Sequence, residues 1–406
     1  MYQESLRISK NNDRINVVCI LLIIFAIFVS RDETLNKLAL YVALPLSFIL
    51  SFIADGNSLY VNKYLKLVLG LYLWLFLTII TSLNIDVSMG YVNQMLGCIL
   101  LCYSISNLAQ NKKVLPWLYI TYSFLLVEAI IYAQNNFLAL NFDISSGRVD
   151  SAKLNANTLS YYVFYATISL YIVSDFFSVK KVEKLFDVLF IAMIPVSFFV
   201  AIIAASRQVL VIQIPTIILL LWIRYFKGAK LIKSIIAVVL IIVAFLLFNE
   251  PVTQIYDNSY LSTRNKTAYE EDIRVVLIKE AYKIGCENPV FGLGPGGFAL
   301  QQSDHLFSHC TYTELFANSG FIALALYVYL LLYFEFTQYK RYRSFKDNRY
   351  LVFLTFGCAF IVYQFFFVFT SDLWLISFFV LVATHSELYY SQTHKRAILH
   401  KRVFCK

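Results

Sequence analysis

The chain has 406 residues, 59% of them apolar and 15% charged, against about 45–50% and about 25% in ordinary soluble domains. Its apolar residues gather in runs of about 16 to 23, each near the length a helix needs to cross about 30 Å of hydrocarbon. These features exclude a soluble enzyme, a secreted disulfide scaffold, a disordered chain and an outer-membrane barrel of short alternating strands. The formal charge of +9 follows the orientation of the spans and calls for no nucleic-acid partner.

In chain order the runs predict an all-α polytopic membrane protein of about twelve helices, at 15–30, 38–54, 65–82, 89–108, 115–133, 157–177, 185–205, 208–223, 231–248, 312–334, 351–370 and 373–390. The tightest joins fall at Ser206–Arg207 and Ser371–Asp372, where one bent segment would change the count. Twenty-four of the 34 Lys and Arg residues lie at the N-terminus, in alternate connections and in the tail, so both termini are read as cytoplasmic. Arg31 and Asp32 directly follow the first run, with no small-residue cleavage site, so it reads as a retained span.

Three regions result. Residues 1–248 carry the first nine helices, with a smaller outer loop at 134–156. Residues 249–311 form one large extracytoplasmic loop, and residues 312–406 carry the last three helices and the cytoplasmic tail. Loops of such length inside a compact protein are usually functional or disordered. In the large one, Ile273, Val276, Leu277 and Ile284 recur at roughly helical spacing, which predicts a helix over 270–284 lying along the membrane surface.

Of the seven cysteines, Cys286 and Cys310 share this loop and could pair in an oxidising compartment, although free thiols are the expected state. His305 and His309 are four apart, but the Glu of a zinc-protease motif is missing and no metal is expected. Gly292, Gly294, Gly296 and Gly297, with Pro289 and Pro295, make a bare turn whose N–H groups can approach an anion; a plain surface turn fits the same residues. Around it stand outer-face arginines, Arg148, Arg207, Arg264 and Arg274, of which Arg207 lies between two spans, where charge is costly unless compensated. Guanidinium groups bind phosphate oxygens bidentately, so the set reads as a phosphate clamp, with solvated loop charge as the plainer alternative. His309 stands at the mouth of a span, where an imidazole can take or give a proton near neutral pH. Glu314, about one turn deeper, is placed to orient it, and a Glu bonded within its own helix fits equally well.

Several of these segments, taken in order, resemble the O-antigen ligase and O-antigen polymerase superfamily of bacterial membrane glycosyltransferases. Gly147-Arg148 followed by Asn155-Ala-Asn157-Thr158-Leu159 is similar to its Gly-Arg segment and Asn-rich span entry. Ser206-Arg207-Gln208 resembles its Ser-Arg element. Arg274, then Glu287-Asn288-Pro289 and Gly292-Leu-Gly294-Pro-Gly296-Gly297-Phe298, resembles its Arg helix and Asn-Pro-x-x-Gly-x-Gly turn. His309-Cys310, nine residues, then Gly320-Phe-Ile-Ala323 resembles its His-Asn and Gly-x-x-Gly pattern, with Cys310 and Ala323 as departures.

The resemblance implies a type C glycosyltransferase-like fold and a metal-independent transfer, without cofactor, at the outer face of the cytoplasmic membrane. Its implied partners are a polyprenyl-diphosphate-linked glycan donor, a glycan acceptor, membrane lipid, and a chain-length regulator or other polysaccharide-assembly proteins. The expected activity is polymerisation of repeat units into O-antigen, capsule or exopolysaccharide, because the two departures drift from the ligase pattern. The alternatives are ligation of glycan to lipid A core and, in another class, a lipid-linked-oligosaccharide flippase or transporter. A flippase should carry midplane ionisable groups and half-to-half symmetry, neither of which is evident here.

Overall fold

The computed structural model describes residues 2–29, 33–54, 59–139, 156–177, 179–226, 253–259, 261–262, 273–302, 306–368 and 373–404. Among these residues the chain is helical, without strands. The helices are α1 (Tyr2–Phe28), α2 (Thr34–Ala54), α3 (Lys63–Leu77), α4 (Ile85–Leu108), α5 (Leu115–Ala139), α6 (Ala156–Ser174), α7 (Lys180–Ile203), α8 (Val209–Tyr225), α9 (Ile273–Glu287), α10 (Gly297–Gln301), α11 (Thr311–Phe345), α12 (Asn348–Tyr363) and α13 (Leu373–Phe404). Each predicted span except 231–248 coincides with one of them, and that span lies outside the described residues. Five described helices are long and apolar enough to cross a membrane: Thr34–Ala54, Lys63–Thr81, Ile85–Leu108, Lys180–Ile203 and Thr311–Phe345. Shorter apolar helices run over Thr158–Ser174, Val209–Tyr225 and Asn348–Tyr363.

Large apolar side chains such as Leu73, Ile80 and Val211 are 61%, 78% and 65% exposed. In lipid, unlike water, such a surface is the ordinary exterior of a bundle whose backbone is satisfied within each helix. Side-chain caps mark several helix starts. Asn62 accepts from Leu65 N–H at 2.8 Å, Asn84 from Asp86 and Val87 N–H at 3.0 and 3.3 Å, and Asp347 from Arg349 N–H at 2.9 Å.

The contacts gather the chain into two compact units, Met1–Thr121 with Ile273–Lys406, and Tyr122–Asp272. In the first, α1 packs on α2, α2 on α4, α4 on α13, and α11 on α3, α9 and α12. Its centre is aromatic: Phe334 lies 5.6 Å from Tyr64, 6.2 Å from Phe356 and 5.2 Å from Phe379. In the second, α6 packs on α7, which turns back at Ala204–Ser206 to pack on α8.

The predicted 270–284 helix is found as α9, one face of which packs against the rest of the unit. Leu277 and Ala281 join Phe298 of α10 and Ala317 of α11 in one buried cluster, flanked by Ile284 and Leu306. Ile273 and Val276, also expected on its apolar face, are instead 56% and 45% exposed. The buried positions are Leu277, Ala281 and Gly285 at a spacing of four, because the ring of Phe316 lies where a side chain at 285 would stand. Cys286 and Cys310 are both free thiols, Cys286 exposed and Cys310 buried.

Candidate active site

Within the first unit, the glycine-rich turn, α10 and the start of α11 are one construction. Helix α11 breaks at Gly320, whose φ of 74° and ψ of −176° lie in a region essentially reserved for glycine. In an unbroken helix Ala317 C=O would accept from Phe321 N–H. Both groups are taken by the turn instead: Leu293 N–H donates to Ala317 C=O at 3.0 Å, and Phe321 N–H donates to Pro289 C=O at 2.7 Å. A Cβ at Gly320 would overlap the Val290 carbonyl, and one at Gly292 would overlap the backbone of residues 317–319. Gly320 therefore serves a backbone-to-backbone approach of turn and helix.

The other glycines are held in the same way. A Cβ at Gly294 would meet Ser82 at the start of α4's approach, and one at Gly296 would meet the ring of Tyr91. Ser88 Oγ donates to Pro295 C=O at 2.7 Å, Trp74 Nε1 donates to Ser319 C=O at 2.9 Å, and Trp74 stacks on Phe291 at 5.4 Å. The anion-cradle expectation is narrowed by this arrangement, since Gly292 and Gly297 donate their N–H groups to the Asn288 and Gly294 carbonyls at 3.0 and 2.9 Å. The glycines first of all let the turn seat between α3, α4 and α11.

A chain of hydrogen bonds runs from this turn to the two residues that flank His309. Asn318, 6% exposed, accepts from Phe298 N–H at 2.7 Å and donates to Glu314 Oε1 at 2.9 Å. Glu314, 1% exposed, accepts with Oε2 from Ser308 N–H at 2.7 Å. Ser308 Oγ in turn donates to Cys310 C=O at 2.9 Å and accepts from Cys310 N–H at 3.3 Å. The residues on both sides of His309 are thus fixed, and His309 itself sits partly exposed at φ 58°, one of three non-glycine residues with positive φ among the described residues. Such a backbone costs on the order of 1–3 kcal/mol and persists where its surroundings over-determine it. Glu314 reaches His309 through the backbone of Ser308, the preceding residue.

Cys310 occupies the N-cap of α11 with no side-chain cap bond. The next residue is tied to α12's end, since Thr311 N–H donates to Gln364 C=O at 2.8 Å and Thr311 Oγ1 to Gln364 Oε1 at 2.8 Å. Ala323 is fully buried, so the small side chain that replaces the second glycine still fits. Arg274 stands in the first turn of α9, partly exposed. Between the turn and α11, Tyr91, Met95, Pro295, Gly296, Glu314 and Asn318 help line a cavity of about 10 Å³, room for one water molecule.

In the second unit, Arg207 opens the helical segment after the α7–α8 join, partly exposed between the buried residues Ser206 and Gln208. Asn157 lies in the first turn of α6. Arg148, Arg264 and His305 lie outside the described residues. Sequence reasoning missed Ser308, Asn318, Ser160 and Tyr161, because ordinary hydroxyl and amide side chains carry no signal until their partners are known.

Residues 189–328 match the family model described as O-antigen ligase. Residues 189–328 thus form a domain similar to the O-antigen ligase family. That domain runs from within α7 into α11 and takes in Arg207, Arg264, Arg274, the glycine turn, His309, Glu314 and Gly320. It supports an O-antigen ligase- or polymerase-type function in a membrane protein. No curated protein matches the chain.

Proposed function

We propose that the chain is a glycosyltransferase of the bacterial cytoplasmic membrane that polymerises polyprenyl-diphosphate-linked repeat units at the outer face. His309, held at φ 58° beside the seated O-antigen ligase turn, is the observation that carries this reading. The acceptor hydroxyl oxygen attacks the anomeric carbon of the donor glycan, and the bond from that carbon to the diphosphate oxygen breaks. The hydroxyl proton passes to the His309 imidazole, and the polyprenyl diphosphate departs with the bonding electrons. Arg207 and Arg274, with Arg148 and Arg264, bind the diphosphate and stabilise its growing charge, a task guanidinium groups perform without calling on a metal ion. Glu314 acts on His309 as a positioning residue through Ser308.

A second reading, ligation of finished glycan to lipid A core, fits the family description equally. Purified protein in liposomes, given a lipid-linked repeat unit, is expected to yield a ladder of longer lipid-linked glycans that Arg274→Ala and His309→Ala abolish. Transfer of a single glycan to lipid A core would establish the ligase instead. Movement of the donor across the bilayer with no new glycosidic bond would overturn both.

A further inference from the structure

The proposed diphosphate residue Arg207 is held in place from both sides. Helix α7 ends in a Schellman turn in which Ser206 N–H donates to Ala201 C=O at 3.0 Å and Ala205 N–H to Ile202 C=O at 3.1 Å. The left-handed position of this turn, ordinarily glycine, is occupied by Ala205 at φ 45°. The residues on either side of Arg207 then bond to consecutive residues of α6. Ser160 Oγ donates to Ser206 Oγ at 2.8 Å, and Tyr161 OH donates to Gln208 Oε1 at 3.0 Å. All four are buried, with Ser160 0%, Tyr161 1%, Ser206 1% and Gln208 4% exposed. One to two turns further along α6, Gln213 Nε2 donates to Thr167 Oγ1 at 2.6 Å, which continues the polar ladder away from Arg207.

Two buried hydrogen bonds flanking one arginine leave its Cα little freedom, while the residue as a whole stays partly exposed. The strained Ala205 immediately before them has the character of backbone held for a purpose. We propose that Ser160 and Tyr161 are positioning residues that aim Arg207 at the donor diphosphate. The inference rests on the glycosyl-transfer reading above. Because a misplacement of about 1 Å can cost about 100-fold in rate, loss of either hydroxyl should lower kcat more than it weakens donor binding.

The test is a steady-state comparison in proteoliposomes supplied with a polyprenyl-diphosphate-linked glycan. Ser160→Ala and Tyr161→Phe are expected to lower kcat by about 10- to 100-fold with donor KM held within about threefold. Ser160→Thr, which keeps the hydroxyl, should restore the rate. Thr167→Val, which breaks the more distant rung, should lower the melting temperature comparably and leave kcat within about threefold. In an Arg207→Ala background, Ser160→Ala and Tyr161→Phe should cost no more than about a further twofold, because there is no guanidinium left to aim. The proposal is overturned if the two variants slow the Arg207→Ala protein as much as the wild type, or behave like Thr167→Val. A second measurement is independent of turnover: in Arg207→Cys protein, the rate of maleimide labelling at position 207, read on its peptide by mass spectrometry, should change when Tyr161→Phe is added. A changed labelling rate in a protein that forms no glycosidic bond would sink the functional reading and leave the pinning intact. An unchanged labelling rate in an active protein would do the reverse.

Discussion

His309 and Ala205 are non-glycine residues in left-handed backbone, and each lies beside or at a residue proposed to act on substrate. For His309 the conformation is imposed by Ser308 and Cys310, which Glu314 anchors from below. If the imidazole removes the acceptor proton, His309→Ala should lower kcat by about 10²–10⁴-fold. In the unmodified enzyme the rate should fall as pH drops through the imidazole titration, since the base must be neutral, and this acid limb should vanish in the variant. Asn318→Ala removes bonds to Phe298 N–H and Glu314 Oε1 and leaves both groups buried. A loss of about 2–4 kcal/mol in unfolding free energy is expected, seen as a lower denaturation midpoint in detergent. Arginine, histidine and glycine were legible in the sequence because their chemistry or backbone freedom is unusual. Asn318 and Ser308 were not, since an ordinary polar residue acquires meaning only from the atoms it bonds.

Helix α11 and the turn before α10 are each incomplete alone. The helix lacks an internal partner for Ala317 C=O and Phe321 N–H, and the turn supplies both. Gly320→Ala would place a Cβ against the Val290 carbonyl in a backbone region closed to other residues. It should cost at least about 3 kcal/mol, and a melting curve with no cooperative loss relative to wild type would refute the interlock. Gly285→Val should lift α9 from Phe316 in the same manner. The 3.6-residue period revealed α9, but only part of its apolar face packs on protein. Ile273 and Val276 are apolar and exposed, whereas Gly285 is buried, because the seat on α11 was shaped by Phe316 and Ala317 rather than by hydrophobicity along α9.

For the chain in its membrane, the expected arrangement places both termini in the cytoplasm and the glycine turn outside. Labelling of Lys279→Cys by an impermeant thiol reagent from the outer face of intact cytoplasmic membranes, with a tail reporter reached only from inside, would bear this out. Labelling of Lys279→Cys only after the membrane is opened would refute it. The distribution of apolar runs and of lysine and arginine determined by itself that this is a helical membrane protein, and where nearly all its described helices lie. That is so because hydrocarbon demands long apolar segments whatever their neighbours. The order of motifs pointed to the family. Only the tertiary structure decided that the glycine turn is seated in a broken helix, and that Glu314 accepts a hydrogen bond from Ser308 N–H. It alone also showed Ser160 and Tyr161 bonded to the residues on either side of Arg207. Those arrangements depend on residues up to 245 positions apart, as with Trp74 and Ser319, and on shapes that no local pattern encodes.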